Sequence, residues 1–440
     1  KALVVTVDHF FGGFAHLFRS LTDHRDPARL TYPLWTLMAT GVLMFLFRLG
    51  SRRQIAELLR ENGPSAAKYQ MLLQAPECPH GDTLNYAFAR CEVAEVQDVV
   101  STMVATLIRR KLLYPERLLN SYYLVAFDGT GVLTYPERHC PQCLTRTHHG
   151  HTTYYHPVLE AKLVTPSGWA FSLMTEFIEN PGEHPQKQDC ELKACYRLMR
   201  RLKARFPRLP ICLILDGLYA GGPTFSLCER NQWRYLIVLQ DADIPYINSE
   251  FAALSELEPS QHLLFETGVQ FEIQQDFRWV NDIAYVDSDK IAHTVAVIQC
   301  EETKPTKKKQ EDQTNRFKWV TNFKVTSNNV IELANQGGRV RWKIENEGFN
   351  VQKNGGYALE HRYSENPNAS KVFYLVLQIA HLLAQLIQRG SLFRRAFPKG
   401  VGSAKNIAFR LLEAWRNLRL HPRAIQAMRD ARIQIRFAPP

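Results

Sequence analysis

Apolar residues recur every three or four positions through roughly the first 118 residues, which predicts a mostly helical region. Helices are expected over Pro33–Arg48, Arg53–Glu61, Thr83–Arg90 and Val93–Lys111, with Thr83 as a side-chain N-cap. Ser51–Arg60 and Thr83–Cys91 together suggest a DNA-reading helix pair. Roughly twenty residues separate them, far more than a helix-turn-helix uses, so plain helical packing is the simpler reading. Beyond this point the pattern changes. Tyr122–Phe127 and Ile211–Leu215 are short apolar runs that suit buried strands. His156–Val164 and Trp169–Phe177 flank Thr165–Gly168 as a hairpin, and Tyr235–Leu239 is a further strand. Gln188–Lys203 reads as an amphipathic helix with Leu192, Cys195, Leu198, Met199 and Leu202 inward, and Thr224–Asn231 as a second helix. The order is β-β-β-α-β-α-β. Short strands then recur at Val269–Ile273, Ala284–Val286 and His293–Ile298, before a charged loop, Glu301–Arg316, that contains Lys307–Lys309. Asn328–Gly355 returns to a helical pattern, and Val372–Gln388 is a strongly apolar helix.

This order is that of the ribonuclease H-like α/β fold, in which three antiparallel strands are followed by parallel ones with helices outside. The expected layout is a helical region over 1–118, an α/β catalytic domain over 119–388 with a β-rich insertion at about 241–325, and a helical basic segment over 389–440. Through the Ser51–Arg60 and Thr83–Cys91 helix pair, residues 1–118 are also a candidate DNA-binding region.

Composition narrows the class. The chain has 440 residues, 45% apolar and 22% charged, which excludes wholesale disorder, a collagen-like fibre and a disulfide-stapled miniprotein. The net charge is +11, and +10 of it lies between Leu386 and Pro440. A concentrated cationic stretch suits phosphates better than an even spread does. Nine scattered cysteines and no signal-peptide pattern after Lys1 suggest a reduced, cytoplasmic chain, and the opening without Met suggests a missing N-terminus. The uncharged run Leu30–Phe47 is broken by Thr31, Pro33 and Thr36, so it reads as a core helix and no membrane partner is expected.

The chemistry lies in the carboxylates. Ala126-Phe-Asp128-Gly-Thr130 and Ile214-Leu-Asp216-Gly-Leu218 each place an Asp just past an apolar strand and before Gly. Two such acids on neighbouring strands begin a hard-cation site, although Asp before Gly also merely caps turns. A third acid is expected from the later helix, where Glu345 and Glu347 are available. They point to opposite sides of a helix, and both stripes contain apolar residues, so periodicity does not choose between them. Gly348 costs helix stability and suggests close approach by another element.

The set Asp128, Asp216 and Glu345 resembles the DDE triad of bacterial insertion-sequence transposases, most closely the group with a β-strand insertion and a Y-x2-R-x3-E-x6-K signature. Arg341 and Glu345 match the signature Arg and Glu, within Arg341-Trp-Lys-Ile-Glu345. Gly338 stands at the Tyr position and Gln352 at the Lys position, with Lys353 beside it. The spacings of 88 residues between the aspartates and 129 from Asp216 to Glu345 suit an inserted domain. Asp189-Cys-Glu191, Asp216-Gly-Leu-Tyr219 and Glu345-Asn-Glu-Gly-Phe-Asn350 also resemble many transposases, and the similarity covers about 118–388.

The resemblance implies a two-Mg²⁺ site, with Mn²⁺ able to substitute, that cuts and rejoins DNA at insertion-sequence ends. It implies Asp128 bridging both ions, Asp216 and Glu345 each holding one, and Arg341 and Lys353 on phosphates. It further implies double-stranded transposon ends and target DNA as partners, a homodimer on DNA, and a bacterial, nucleoid-associated location. Rivals are a metal-dependent nuclease without strand transfer and a domesticated DNA-binding protein without catalysis.

Three secondary signals remain. Cys140-Pro-Gln-Cys143, followed by His148, His149, His151 and His156, has zinc-like spacing. Cys140, Cys143, His148 and His151 are the expected set, although sequence does not settle which histidines join. Trp279 in the insertion is a candidate to stack a displaced base or, more simply, a sheet-packing residue. Asp189 and Glu191 read as acids favouring a helix N-terminus rather than as metal ligands.

Overall fold

Three apolar runs set the centre of the sheet. In the computed structural model β1 (Tyr123–Tyr135), β5 (Ile211–Leu215) and β6 (Arg234–Val238) pair in parallel, and the Ile211–Leu215 run is buried throughout, as helices on both faces require. The structure describes all residues except 61–62, 183–184, 270–271, 306–311, 401, 431–432 and 438–440, and leaves out the side chains of 428–430. The Lys307–Lys309 run therefore lies outside the described residues. The architecture is mixed α/β.

Strands β2 (Leu144–His148), β3 (His151–Val164) and β4 (Ala170–Phe177) extend the sheet beyond β1, with β3 antiparallel to β1, β2 and β4. On the other side β6 pairs antiparallel with β10 (Gln313–Thr321). Strands β9 (Ala292–Lys304), β8 (Ile273–Val286) and β7 (His262–Thr267) then follow outward as an antiparallel meander. The β-rich insertion thus lengthens the central sheet rather than standing apart from it.

Residues 1–118 supply α1 (Ala2–Phe11), α2 (Leu34–Leu46), α3 (Arg53–Leu59), α4 (Pro64–Leu73), α5 (Gly81–Phe88) and α6 (Val93–Arg109). Helices α7 (Glu191–Arg205) and α8 (Gly222–Asn231) connect β4 to β5 and β5 to β6, and α9 (Pro245–Leu257) packs on β8. The long helix α10 (Pro367–Arg389) lies along α2 and α6, and the N-terminal helices share one continuous core with the sheet. Among the described residues α10 is the one helix long and apolar enough to cross a membrane, and 78% of its apolar window is buried inside the fold. The C-terminal α11 (Ala404–Asn417) packs back on α4, where the Trp415 indole donates to Ser65 at 3.2 Å. Helix α12 (Pro422–Asp430) follows it.

Several expected elements are corrected. Helix α4 lies between α3 and α5, so these two are not joined by a turn, and Thr83 sits inside α5, whose N-cap is His80. Strand β1 continues eight residues past Phe127, because β3 offers an antiparallel partner after β5 has ended. Val269 lies in the turn before β8, not in a strand. Glu301–Arg316 is strand at both ends: its charges are cross-strand pairs on an antiparallel ladder, such as Arg316 with Glu301 at 3.0 Å.

Residues 330–354 form a helical stretch that changes its winding repeatedly. Leu333–Gly337 and Ile344–Phe349 are π-helical, and Gly338–Trp342 is 3₁₀. Close packing accounts for its glycines. A Cβ on Gly337 would stand 2.5 Å from Leu236, and one on Gly338 2.5 Å from the Trp319 indole. At Gly348 the neighbour is the buried Lys162 side chain of β3, 3.2 Å from such a Cβ. Winding changes of this kind often mark functional segments.

Candidate carboxylate site and a cysteine–histidine cluster

Asp128 is not at the end of its strand but at the point where β1 loses β5 as a neighbour, since Ala126 opposite Ile214 is the last pair. That vacancy in the ladder opens the Asp128 side chain to the sheet edge. Asp216 stands one residue beyond β5, where its carboxylate accepts the Gly217 N–H at 2.5 Å and caps a short 3₁₀ turn. Asp128 likewise accepts the Gly129 N–H at 3.0 Å.

Arg341 joins the two acids. Its Nη2 lies 3.5 Å from Asp216 Oδ2 and its Nη1 3.9 Å from Asp128 Oδ2. The guanidinium is buried, and its Nε has no hydrogen-bond partner among the described residues. Glu345, one turn further on, is close enough to act on the Asp128 charge. Burial pushes the Asp128 carboxyl up to about 6; Arg341 opposes this, and the negative Glu191 and Glu345 add to it.

Glu191 lies in the first turn of its helix, α7, as expected, and its charge also reaches Asp128. Its carboxylate backs onto Gly129, where a Cβ would stand 2.3 Å from Oε2. The buried Tyr219 hydroxyl donates to its Oε1. The signal was Gly129: a glycine beside Asp128 leaves room for a fourth acid. Asp189, in contrast, is tied to Arg197 at 2.6 Å, which holds its carboxyl below the usual range despite burial.

A groove of about 760 Å³ runs from Asp216 past Arg316, Lys318, Arg339, Arg341 and Trp342. Three of these basic side chains sit on acids, Arg316 on Glu301, Lys318 on Asp241 and Arg339 on Glu302, and no sequence signal grouped them. Trp342 is exposed, with the Arg341 guanidinium 4.6 Å from its ring centre.

Other expected residues lie elsewhere. Glu347 is 3.2 Å from Lys343 and faces the Gly168–Arg389 corner, away from the aspartates. Lys353 pairs with Glu360 at 3.3 Å, so its ammonium is engaged at another surface. Gln352 is fully buried and donates to Gln378 at 2.8 Å, inside a polar network with Lys162 and His381. Trp279 is 4% exposed and leaves no face for a base, so it is a sheet-packing residue.

An all-oxygen set of Asp128, Asp216, Glu345 and Glu191 suits a hard divalent cation. Burial and the neighbouring acids raise Asp128, and the buried Arg341 Nε is a donor with no acceptor among the described residues. The acids are not a closed cage: among the described residues one group alone brings three ligand atoms within 4.8 Å of one another, and it lies elsewhere. That group is Cys140, Cys143 and His156. His148 and His151 do not join it, because they pair with each other at the exposed tip of the β2–β3 hairpin.

The chain matches no protein-family model, and no curated protein is significantly similar to it.

Proposed function

We propose that the chain is a DNA transposase of the DDE class, with Asp128, Asp216 and Glu345 as its acids. One observation carries the reading. Two aspartates from the ends of parallel pairing and an Arg-x3-Glu segment that begins 213 residues after the first and 125 after the second meet at one sheet edge, with Arg341 within 4 Å of both aspartates. The order β4-β3-β1-β5-β6, with the last three parallel, supports the ribonuclease H-like form of the mixed α/β fold.

Asp128, Asp216 and Glu345 would hold Mg²⁺ or Mn²⁺, with Glu191 behind Asp128. When bound, two such ions clamp the attacking and leaving oxygens of an in-line displacement at a phosphodiester. The residues do the rest. Asp128, between Glu345, Glu191 and Arg341, must be ionised to act as a ligand. Arg341 offers a bidentate fork that exchanges its carboxylates for phosphate oxygens. The groove beyond Asp216 carries Arg316, Lys318 and Arg339 along the path of a backbone. The exposed basic residues of the C-terminal helices add sequence-independent attraction for duplex DNA.

The test is DNA from the flanks of the chain's own coding region, incubated with protein and a target plasmid. The reading expects metal-dependent cuts with free 3′-hydroxyls that become joined to the plasmid. Cuts without joined products would make the chain a nuclease, and binding without cuts would make it a DNA-binding protein.

A further inference from the structure

We propose a zinc site built from Cys140, Cys143 and His156 that staples the loop after β1 to the root of the β2–β3 hairpin. The two sulfurs are 3.6 Å apart, and His156 Nε2 lies 3.3 Å from one and 3.2 Å from the other. A tetrahedral zinc, with bonds of about 2.3 Å to sulfur and 2.0–2.1 Å to nitrogen, spaces its ligand atoms about 3.5–3.8 Å apart. The observed triangle is within a few tenths of an ångström of that. Hydrogen bonding accounts for it poorly, since a thiol is a weak donor and one ring nitrogen cannot serve two thiols well. Both cysteines are buried and free.

The ligands are positioned independently of one another. His156 is fixed by the β1–β3 ladder, opposite Leu133. The cysteine loop is anchored by Asn180, whose side chain donates to the Cys143 carbonyl at 2.8 Å and whose N–H donates to the Gln142 carbonyl at 3.0 Å. His139 stands next to Cys140, but its Nε2 is turned to the Glu365 carbonyl at 3.0 Å. Three protein ligands leave a fourth tetrahedral position that a water would fill. The site joins two parts of the chain at the base of a hairpin whose tip, Thr147–Thr152, is exposed. A two-stranded ribbon is marginal by itself, and an ion at its root fixes the direction in which the tip projects.

The test is metal analysis of the full chain purified without chelator, followed by stripping and titration with Zn²⁺ or Co²⁺. About one zinc per chain is expected. Cys140→Ser, Cys143→Ser and His156→Ala should each lose it, whereas His148→Ala and His151→Ala should retain it. Asp128→Asn should also keep its zinc, which separates this site from the carboxylates. The stripped wild-type chain should take up one Co²⁺ with the strong absorption of a tetrahedral thiolate site, a readout that no variant's folding affects. Failure of the wild-type chain to contain zinc or take up Co²⁺ overturns the proposal, as does zinc loss in His148→Ala or His151→Ala.

Discussion

Arg341 Nη2 lies 3.5 Å from Asp216 Oδ2, and the other arm of the same guanidinium is 3.9 Å from Asp128. One cation therefore restrains two acids that would otherwise repel each other. Its charge favours the ionised form of Asp128. Arg341→Met should raise the Asp128 pKa above about 6 and move the acid limb of a metal-dependent cleavage profile to higher pH. A limb that stays in place would separate Arg341 from the Asp128 charge.

Asp128 itself links stability to pH. Its folded carboxyl titrates at about 6 against 3.8 in the open chain, so between these values the folded protein binds more protons than the unfolded one. This contribution to stability is full below about pH 3.8 and is lost as pH rises through about 6. Asp128→Asn should therefore stabilise the metal-free protein by roughly 1–3 kcal/mol at neutral pH. Calorimetry should show the gain vanishing in acid, and Mg²⁺ should raise the Tm of the wild-type chain but not of the variant.

Gly129 and Gly131 make a controlled pair. A Cβ at Gly129 would meet the Glu191 carboxylate at 2.3 Å, and Glu191 is anchored by Tyr219, whereas a Cβ at Gly131 meets nothing within 4 Å among the described residues. Gly129→Ala should cost about 1–3 kcal/mol in denaturant unfolding and reduce cleavage. Gly131→Ala should leave cleavage nearly unchanged. Equal behaviour of the two would remove Glu191 from the site.

The basic C-terminal helices call for charge changes rather than deletion. Lys68 donates to the Trp415 carbonyl at 2.5 Å, and Trp415 is buried against α4, so truncation would open the core. Lys405, Arg410, Arg419 and Arg423 are exposed. Replacing all four by Gln should flatten the salt dependence of DNA binding by about 0.9 in log–log slope for each residue that contacts a phosphate. An unchanged slope would assign this surface to another partner.

Strands with continuous apolar runs were the most legible part of the chain. Ile211–Leu215 is a strand with the bounds its pattern implies, because a run buried on both faces has one reading. The continuation of β1 past Asp128 was not legible, since Gly129–Tyr135 is held by pairing with distant β3 rather than by its own composition. The choice between Glu345 and Glu347 shows the same limit. Both stripes carry apolar residues, and the difference arises from Lys343, Arg389 and Lys162 packing around a π-helical turn. The cysteine pair was legible from spacing, but His156 was hidden behind three nearer histidines that the hairpin carries out to its tip.

The most direct test of the central claim is excision and reinsertion of a marked element in cells, with the marker placed between the flanks of the chain's own coding region. Asp128→Asn, Asp216→Asn and Glu345→Gln should each lower the frequency to background while the proteins remain folded and bind DNA. Glu347→Gln, whose carboxylate faces Lys343, should retain substantial activity. Wild-type frequency in any of the first three, or loss in Glu347→Gln alone, would contradict the account.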